Sequence, residues 1–155
     1  MESEIKETMN ETMNIKSNVV FKLYDEKGKL KLKRVLHNTA TTHSKSGVAD
    51  QLLDSPTLPV PGWVELGTGT PAATLLGAYI PGSRTAFDSK TRLLNVVTTV
   101  TTFGPGVGTG TITEAGMFDV VTQNTINMWA SATGFTAIPK GAGDTLVVTW
   151  ILTIN

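Results

Sequence analysis

The sequence predicts an all-β protein, an antiparallel, jelly-roll-like β-sandwich with one short helix and an extended N-terminal arm. The chain of 155 residues contains 25 Thr and 15 Gly; β-branched residues suit pleated strands, and glycine marks turns. Short apolar runs alternate with frequent turn signals, a pattern typical of sandwiches and barrels. We expect residues 1–17 to form the arm and residues 18–155 to form one β-sandwich domain.

Composition argues against several classes of partner. The formal net charge is zero, so no global basic field would attract nucleic acid or anionic lipid. Cysteine is absent, which excludes disulfides and thiol catalysis. No apolar run approaches the ~20 residues of a membrane span, and the polar N-terminus does not resemble a secretory signal. The composition therefore predicts a soluble protein made in the cytoplasm, with no nucleic-acid or membrane partner.

The predicted arm contains a tandem duplication, ETMNETMN (Glu7–Asn14). It places Ile5, Met9 and Met13 four residues apart, which is one face of a helix. A stripe this short does not hold a helix in water by itself. The arm is therefore either a disordered tail or a segment that becomes ordered on a partner, with Ile5, Met9 and Met13 as its contact residues.

The next segments predict a β-hairpin with a turn at Gly28, formed by the runs Asn18–Tyr24 and Lys29–Leu36. Alternation directs Leu30 and Leu32 to one side and three lysines to the other: Lys29, Lys31 and Lys33. Lysine commonly protects a sheet edge from pairing with other chains, and we favour this interpretation over a polyanion site.

The middle of the chain predicts the one helix of the domain at His43–Asp54, with Val48, Leu52 and Leu53 on its apolar face. A Pro-rich loop leads to a strand in the run Trp63–Pro71. Residues 72–91 are rich in turn signals and predict a long surface loop, a kind of segment that often carries binding function.

The C-terminal half predicts strands with greater regularity. Leu93–Phe103 reads as one long strand, followed by a hairpin connection at Gly104–Gly110. In the last strand, apolar and threonine residues alternate with period two. The predicted strands after the glycine loop are Thr111–Val121, Ile126–Thr133 and Asp144–Asn155.

The stretch GTGTITEAGMFD (Gly108–Asp119) contains the best candidates for chemistry. Its glycines match neither the dinucleotide nor the P-loop pattern, because a strand follows them instead of a helix. A bulge at Gly116 could bring Glu114 and Asp119 together as glycosidase acids, a remote alternative because no third group tunes their pKa values. We expect Glu114 to be structural.

The same stretch makes two further predictions about packing. Glu114 is expected to bond to nearby backbone amides or to a cation such as Arg84 or Arg92. Across the bulge at Gly116, the apolar side chains are expected to reach the core, namely Ile112, Met117 and Phe118.

The histidines and tryptophans have simple structural interpretations. His37 and His43 lack a third metal ligand and a serine motif, so they are interpreted as ordinary loop histidines. Trp63, Trp129 and Trp150 lie on predicted strands and are expected in the core, with a carbohydrate platform as the alternative if one is exposed. No catalytic, cofactor-binding or metal-binding residue is predicted, and the protein is expected not to be an enzyme.

The order of several phrases resembles a known family. LHNTATTHSKSGVADQLL, GWVELGTGTPAA, TITEAGMFD and FTAIPKGAGDTLVVTWILTI occur in this order. The string resembles small virion structural proteins of tailed bacteriophages, in which ALGTGTTAP precedes ITEAGLF and the end reads KGAGDTLTVTWTL. A TEIGLFD phrase also occurs in the tail-collar fibre family. The resemblance covers residues 18–155; Met117 replaces the usual Leu, and the arm has no counterpart.

The resemblance implies a non-enzymatic β-sandwich building block of a capsid, neck or tail. The expected protein is a capsid decoration (cement) protein or a head- or tail-fibre component, located in the virion and assembled in the host cytoplasm. Its expected partners are the major capsid protein or other virion proteins, and copies of itself in a homo-oligomer such as a trimer. The alternative is a receptor- or glycan-binding module that contacts a host-surface glycan.

Overall fold

The computed structural model describes residues 12–155, which contain eleven β-strands and one helix, α1 (Thr42–Asp50). The predicted all-β, antiparallel class with one short helix is confirmed. The strands are β1 (Ile15–Tyr24), β2 (Leu30–Ala40), β3 (Trp63–Gly67), β4 (Thr85–Ala86), β5 (Ser89–Leu93), β6 (Val96–Phe103), β7 (Gly110–Ile112), β8 (Glu114–Phe118), β9 (Met128–Ala132), β10 (Ile138–Lys140) and β11 (Thr145–Ile154).

Nine strands form one sheet in the order β4-β3-β8-β9-β2-β1-β11-β6-β5, and β10 pairs with β7 separately. The large sheet folds over as a sandwich, because inward side chains from β3 and β8 belong to the same buried cluster as those from β1 and β11. The cluster contains Val64 and Met117 from the first half, and Phe21 and Trp150 from the second. Apolar burial between the two halves is the main stabilising term.

A short segment joins the two ends of this sheet. Strands β4 and β5 occupy opposite ends of the strand order but are separated in the chain only by Phe87 and Asp88. The Phe87 amide donates to Gly62 O, before β3, and the Asp88 amide donates to Val100 O in β6. The sheet therefore closes back on itself at β4 and β5.

The predicted strands at both chain ends are present, with corrected limits. Strand β1 begins at Ile15, so three residues assigned to the predicted arm pair with β11. The long strand predicted at Leu93–Phe103 is wrong, since Leu93 ends β5 and the chain turns at Leu94, which has a positive φ of 52°. The loop after β6 is not a hairpin connection, because β6 pairs with β11 and β5, whereas β7 pairs with β10.

Helix α1 ends four residues earlier than predicted. Its N-cap is Thr41, whose hydroxyl oxygen accepts from the Ser44 amide. Leu52 and Leu53 were predicted to face the core, but they follow the helix and are 79% and 56% exposed. Only Val48 of the predicted apolar face packs against the core, because Gly47 brings the helix against the ring of Trp129.

Candidate functional site

Glu114, at the start of β8, is buried and bonded to backbone amides. Its Oε1 accepts from Ala78 N at 2.7 Å and from Gly69 N at 3.1 Å, and its Oε2 accepts from Gly77 N at 2.9 Å. Bonds from N–H groups to a carboxylate are stronger than neutral ones. Of the two predicted alternatives, the structure has the amides and not Arg84 or Arg92. This carboxylate holds the 68–84 loop against β8.

The predicted cation Arg84 pairs with a different carboxylate. Its Nε donates to Glu65 Oε2 at 3.0 Å, and both side chains are 2% exposed. Arg84 Nη1 donates to Val120 O, and the guanidinium carbon lies 3.6 Å from the centroid of the Phe118 ring. Gln123 Nε2 also donates to Glu65 Oε2. These hydrogen bonds stabilise the buried charge pair, although Arg84 Nη2 has no hydrogen-bond partner within the described residues.

The outer face of β8 is covered by the 68–84 loop, so all five residues of the strand are buried. Phe118 packs with Leu76 and Met128 in a second cluster, separate from the main core that contains Ile112 and Met117. All three apolar residues of this stretch are buried in the core as predicted, although Phe118 lies in the second cluster. The predicted surface loop at 72–91 is partly buried, because its Leu76 packs against Phe118 on the outer face of β8.

The predicted bulge is displaced by one residue. Gly116 pairs regularly with Glu65 and Ser131, and the register shifts between Met117 and Phe118. Gly116 has a packing role instead. A Cβ at this position would lie 2.7 Å from the Phe118 ring and 2.9 Å from the sulfur of Met128.

Asp119 belongs to a separate polar cluster with the first turn of α1. Its Oδ2 lies 2.6 Å from His43 Nε2 and accepts from Trp129 Nε1 at 2.8 Å. Glu114 and Asp119 are thus each bonded within a different buried network, an arrangement that gives no support to a paired-carboxylate glycosidase.

An imidazole bonded to a carboxylate is also the arrangement of a general base. A pocket of about 350 Å³ beside His43 has the hydroxyl-bearing residues Thr42, Thr74 and Ser131 among its lining residues. Within residues 12–155, however, no hydrogen bond joins His43 to a hydroxyl. The observed contacts of His43 attach α1 to β9 through Trp129, with which its ring makes an edge contact at 5.9 Å.

The remaining histidine and tryptophans have local structural partners. His37 Nδ1 lies 2.6 Å from Asn18 Oδ1 across the hairpin. Trp150 is fully buried and donates to Ser17 Oγ, Trp129 is nearly buried, and Trp63 is partly exposed. Within the described part of the chain, no group of three or more His, Asp or Glu side chains could hold a metal ion.

The lysine-bearing part of β2 has one unpaired side. Strand β2 pairs with β1 along its length but with β9 only at Thr39 and Ala40. We call its unpaired stretch, residues 30–38, the open edge. Lys31 on this edge pairs with Asp144 at 2.8 Å, and this hydrogen bond is the main cause that lowers the pKa of Asp144. The positions of the lysines agree with edge protection.

Lys140 is buried beside this pair and is bonded to carbonyl oxygens. Its Nζ donates to Asp144 O at 2.7 Å and to Gly104 O at 3.0 Å. Desolvation lowers the pKa of Lys140, and the nearby Asp144 opposes that shift. The lysine therefore holds the Gly104 loop against the turn before β11.

The described residues form an apolar groove of about 510 Å³. Val97, Trp129 and Leu152 contribute apolar surface from the sheet, and Val48 of α1 and Val60 of the Pro-rich loop line it as well. Lys90 and Arg92 of β5 are also among its lining residues, with no acidic residue among them. Large apolar surfaces of this kind mark binding sites for ligands or partners.

The predicted arm residues are only partly described. Ile5 and Met9 lie outside the described residues, and Met13 is 58% exposed.

Sequence reasoning missed the apolar groove, although the exposed apolar residues of the Pro-rich loop, Leu58 and Val60, were an available signal.

No helix within residues 12–155 combines the length and apolar character needed to cross a membrane. No protein-family model matches the chain, and comparisons with curated proteins and with solved structures give no match either.

Proposed function

We propose that this chain is a non-enzymatic structural protein of a tailed-bacteriophage virion, a capsid decoration (cement) protein or a head- or tail-fibre component. It acts in the virion after assembly in the host cytoplasm. It binds the major capsid protein or other virion proteins, and copies of itself, through its N-terminal arm and β-surfaces.

The proposal is supported best by the structural roles of the polar residues in the phrases that resemble the phage family. Glu114 holds a loop through three amides, and Lys140 and Asp144 are bonded around the turn before β11. The hydrogen bonds of these side chains hold loops of the described part of the chain in place. The surfaces that remain for function are the apolar groove and the segment before β1, which suit binding to other proteins.

Quantitative mass spectrometry of purified particles of a phage whose genome encodes this chain tests the location. On the order of hundreds of copies per particle indicates a decoration protein on a symmetric shell, while about a dozen indicates a neck or tail component. Absence of the chain from purified particles contradicts the proposal.

A test of the arm's role requires a deletion that leaves β1 intact. Removing residues 1–11 preserves the strand that begins at Ile15, whereas removing 1–17 would delete three paired residues. We expect the shortened chain to keep its thermal unfolding transition and to lose binding to particles. Undiminished binding would refute a role for the arm.

A receptor- or glycan-binding module is the second candidate, because Trp63 retains partial exposure and aromatic faces bind sugars. A glycan array with wild type and Trp63→Ala tests it, with Val121→Ala as the control at another exposed apolar position. Specific binding that is lost only in Trp63→Ala would favour this module over the assembly role.

A further inference from the structure

We infer that the apolar groove receives the N-terminal segment, residues 1–13, of a second copy of this chain. The inference deepens the proposed function by naming a partner for the arm, and it depends on the homo-oligomer in that proposal. The groove, the composition of the segment and the path of the chain before β1 each support it.

The groove has an apolar interior and a basic side. It lies between α1, the Pro-rich loop and the end of the sheet formed by β1, β5, β6 and β11. Lys90 Nζ is held at Pro61 O, and desolvation lowers the pKa of this lysine. Arg92 supplies a second cation two residues along the same strand. Leu52 and Leu53 extend the exposed apolar surface next to Gln51, which lines the groove.

The segment has the complementary composition. Residues 1–13 contain one lysine and four glutamates, Glu2, Glu4, Glu7 and Glu11. Ile5, Met9 and Met13 recur every four residues between these charges. Unbranched methionine side chains adapt to apolar grooves, and carboxylates beside Lys90 and Arg92 would fix the orientation.

The described residues before β1, 12–14, do not line the groove of their own chain. Asn14 and Asn155 exchange two backbone hydrogen bonds of 2.7 Å, so the β1–β11 pairing continues past Ile15. Ile15 lines the groove, and Met13 would share its side of an extended strand. Met13 is nevertheless exposed and does not line the groove. The described residues before β1 thus do not fill their own groove, and the groove of a neighbouring copy is the matching surface for the segment within the oligomer.

Such a contact joins two different surfaces of the same chain, so it is heterologous. Repetition of a heterologous contact gives a closed ring when the rotation closes, and a filament when it does not. One intact contact needs only one segment and one groove. This property allows the two halves of the contact to be placed on separate chains.

Complementation between two defective chains tests the inference. One chain lacks residues 1–11 and keeps the groove. The other keeps the segment and carries Val60→Asp and Arg92→Glu, which add negative charge to the groove. We expect light scattering after size exclusion to show an oligomer for the full chain, a monomer for each defective chain and a 1:1 heterodimer for their mixture. Self-association of each defective chain should weaken by at least about tenfold.

Two controls separate the contact from loss of folding. Val121→Asp changes another exposed valine that does not line the groove, and it should leave the oligomer intact. Thermal unfolding checks that each variant folds. The heterodimer should weaken as salt rises from about 0.1 M to 1 M, because exposed charge pairs are screened.

Several outcomes would overturn the inference. The first is a monomeric full chain, which is expected if the segment folds onto its own groove. The second is an oligomer that survives the deletion of residues 1–11. The third is a mixture of the two defective chains that fails to form the heterodimer. A monomeric chain that is nevertheless abundant in purified particles would overturn this inference alone. Successful complementation by a chain that is absent from particles would contradict only the proposed function.

Discussion

At the scale of single residues, Glu114 combines full burial with three amide partners on one loop. A glutamine at this position keeps the size but replaces one acceptor oxygen with an NH₂ group, which would face amide donors. We expect Glu114→Gln to lower the free energy of unfolding by about 1–3 kcal/mol, because buried donors lose their partner. Urea denaturation measures the loss.

Hydrogen exchange localises this effect. The amides of Gly69, Gly77 and Ala78 should exchange faster in Glu114→Gln, while amides in the β1–β11 pair should follow only the global change. Glu26→Gln is the control, since Glu26 is exposed and should change stability by less than about 0.5 kcal/mol. Unchanged exchange at Gly69, Gly77 and Ala78 would show that the carboxylate does not hold the loop.

Gly116 provides a test of packing that involves no charge. A methyl group there would meet Phe118 and the sulfur of Met128 within 3 Å. We expect Gly116→Ala to destabilise the protein by about 1–3 kcal/mol through overpacking. Gly104→Ala is the matched control, because no atom lies within 4 Å of its added Cβ and its φ is not positive. Thermal denaturation of both variants makes the comparison, and equal stability of the two would contradict the packing role.

At the scale of elements, the open edge of β2 is protected by charge. The double variant Lys29→Val and Lys33→Val removes two cations from this strand and its turn while leaving the Lys31–Asp144 pair. We expect the folded protein to aggregate faster, because an uncharged open edge accepts strands from other chains. Light scattering during incubation measures the rate. The same two changes at exposed Lys27 and Lys45, outside the edge, should have a smaller effect.

The connection from α1 to β3 makes part of the stability depend on pH. Asp50 accepts from the Leu58 amide and from the amide and hydroxyl of Thr57. The Leu58 bond and the Thr57 bonds hold the pKa of Asp50 below its ordinary value of 3.8, against the opposing effect of desolvation. A carboxyl with a lowered pKa in the folded state stabilises it above pH 3.8, and this contribution is lost as pH falls through the folded pKa.

Asp50→Asn removes the titrating group and should therefore flatten the acid side of the stability curve. The difference in free energy of unfolding between wild type and variant should be greatest near neutral pH and shrink as pH falls well below 3.8. Denaturant titrations at a series of pH values measure it. A difference that stays constant with pH would exclude this role for Asp50.

The elements that sequence predicted best are those with one buried face. In β1 and β11 apolar residues alternate and alternate residues are buried, so period two is visible in the sequence. Strand β5 (SKTRL) is exposed throughout and has no such pattern, and β10 has three residues. Their pairing depends on partners distant in sequence, which local propensity does not contain.

The same reasoning explains the outcome for Glu114 and Arg84. A carboxylate inside a strand predicts amide or cation partners, and amides were one of the two alternatives considered. Pairing of Arg84 with Glu65 was missed because sequence distance does not reveal which of two buried carboxylates the loop brings into reach. The apolar groove was missed for a related reason, since its lining residues come from positions 15 to 154 and meet only in the folded sheet.

At the scale of the whole molecule, the 68–84 loop makes one half of the sandwich thicker than the other. The loop covers the outer face of β8 and is held by Glu114, by the Glu65–Arg84 pair and by the burial of Leu76. The other half keeps β2 and β5 exposed on their outer sides. The less covered surface of the sandwich therefore includes β2 and β5.

The position of β11 has a consequence for how the chain reaches its folded state. It is the last strand in the sequence, yet it lies between β1 and β6 and contributes Leu146, Val148 and Trp150 to the core. During synthesis, β1 and β6 therefore have to wait for β11, which follows both of them in the chain. Contacts between such distant positions close slowly, and the incomplete sheet exposes two apolar edges in the meantime. Insertion of one alternating strand, Thr145–Ile154, then completes the core and covers the two edges that would otherwise favour aggregation.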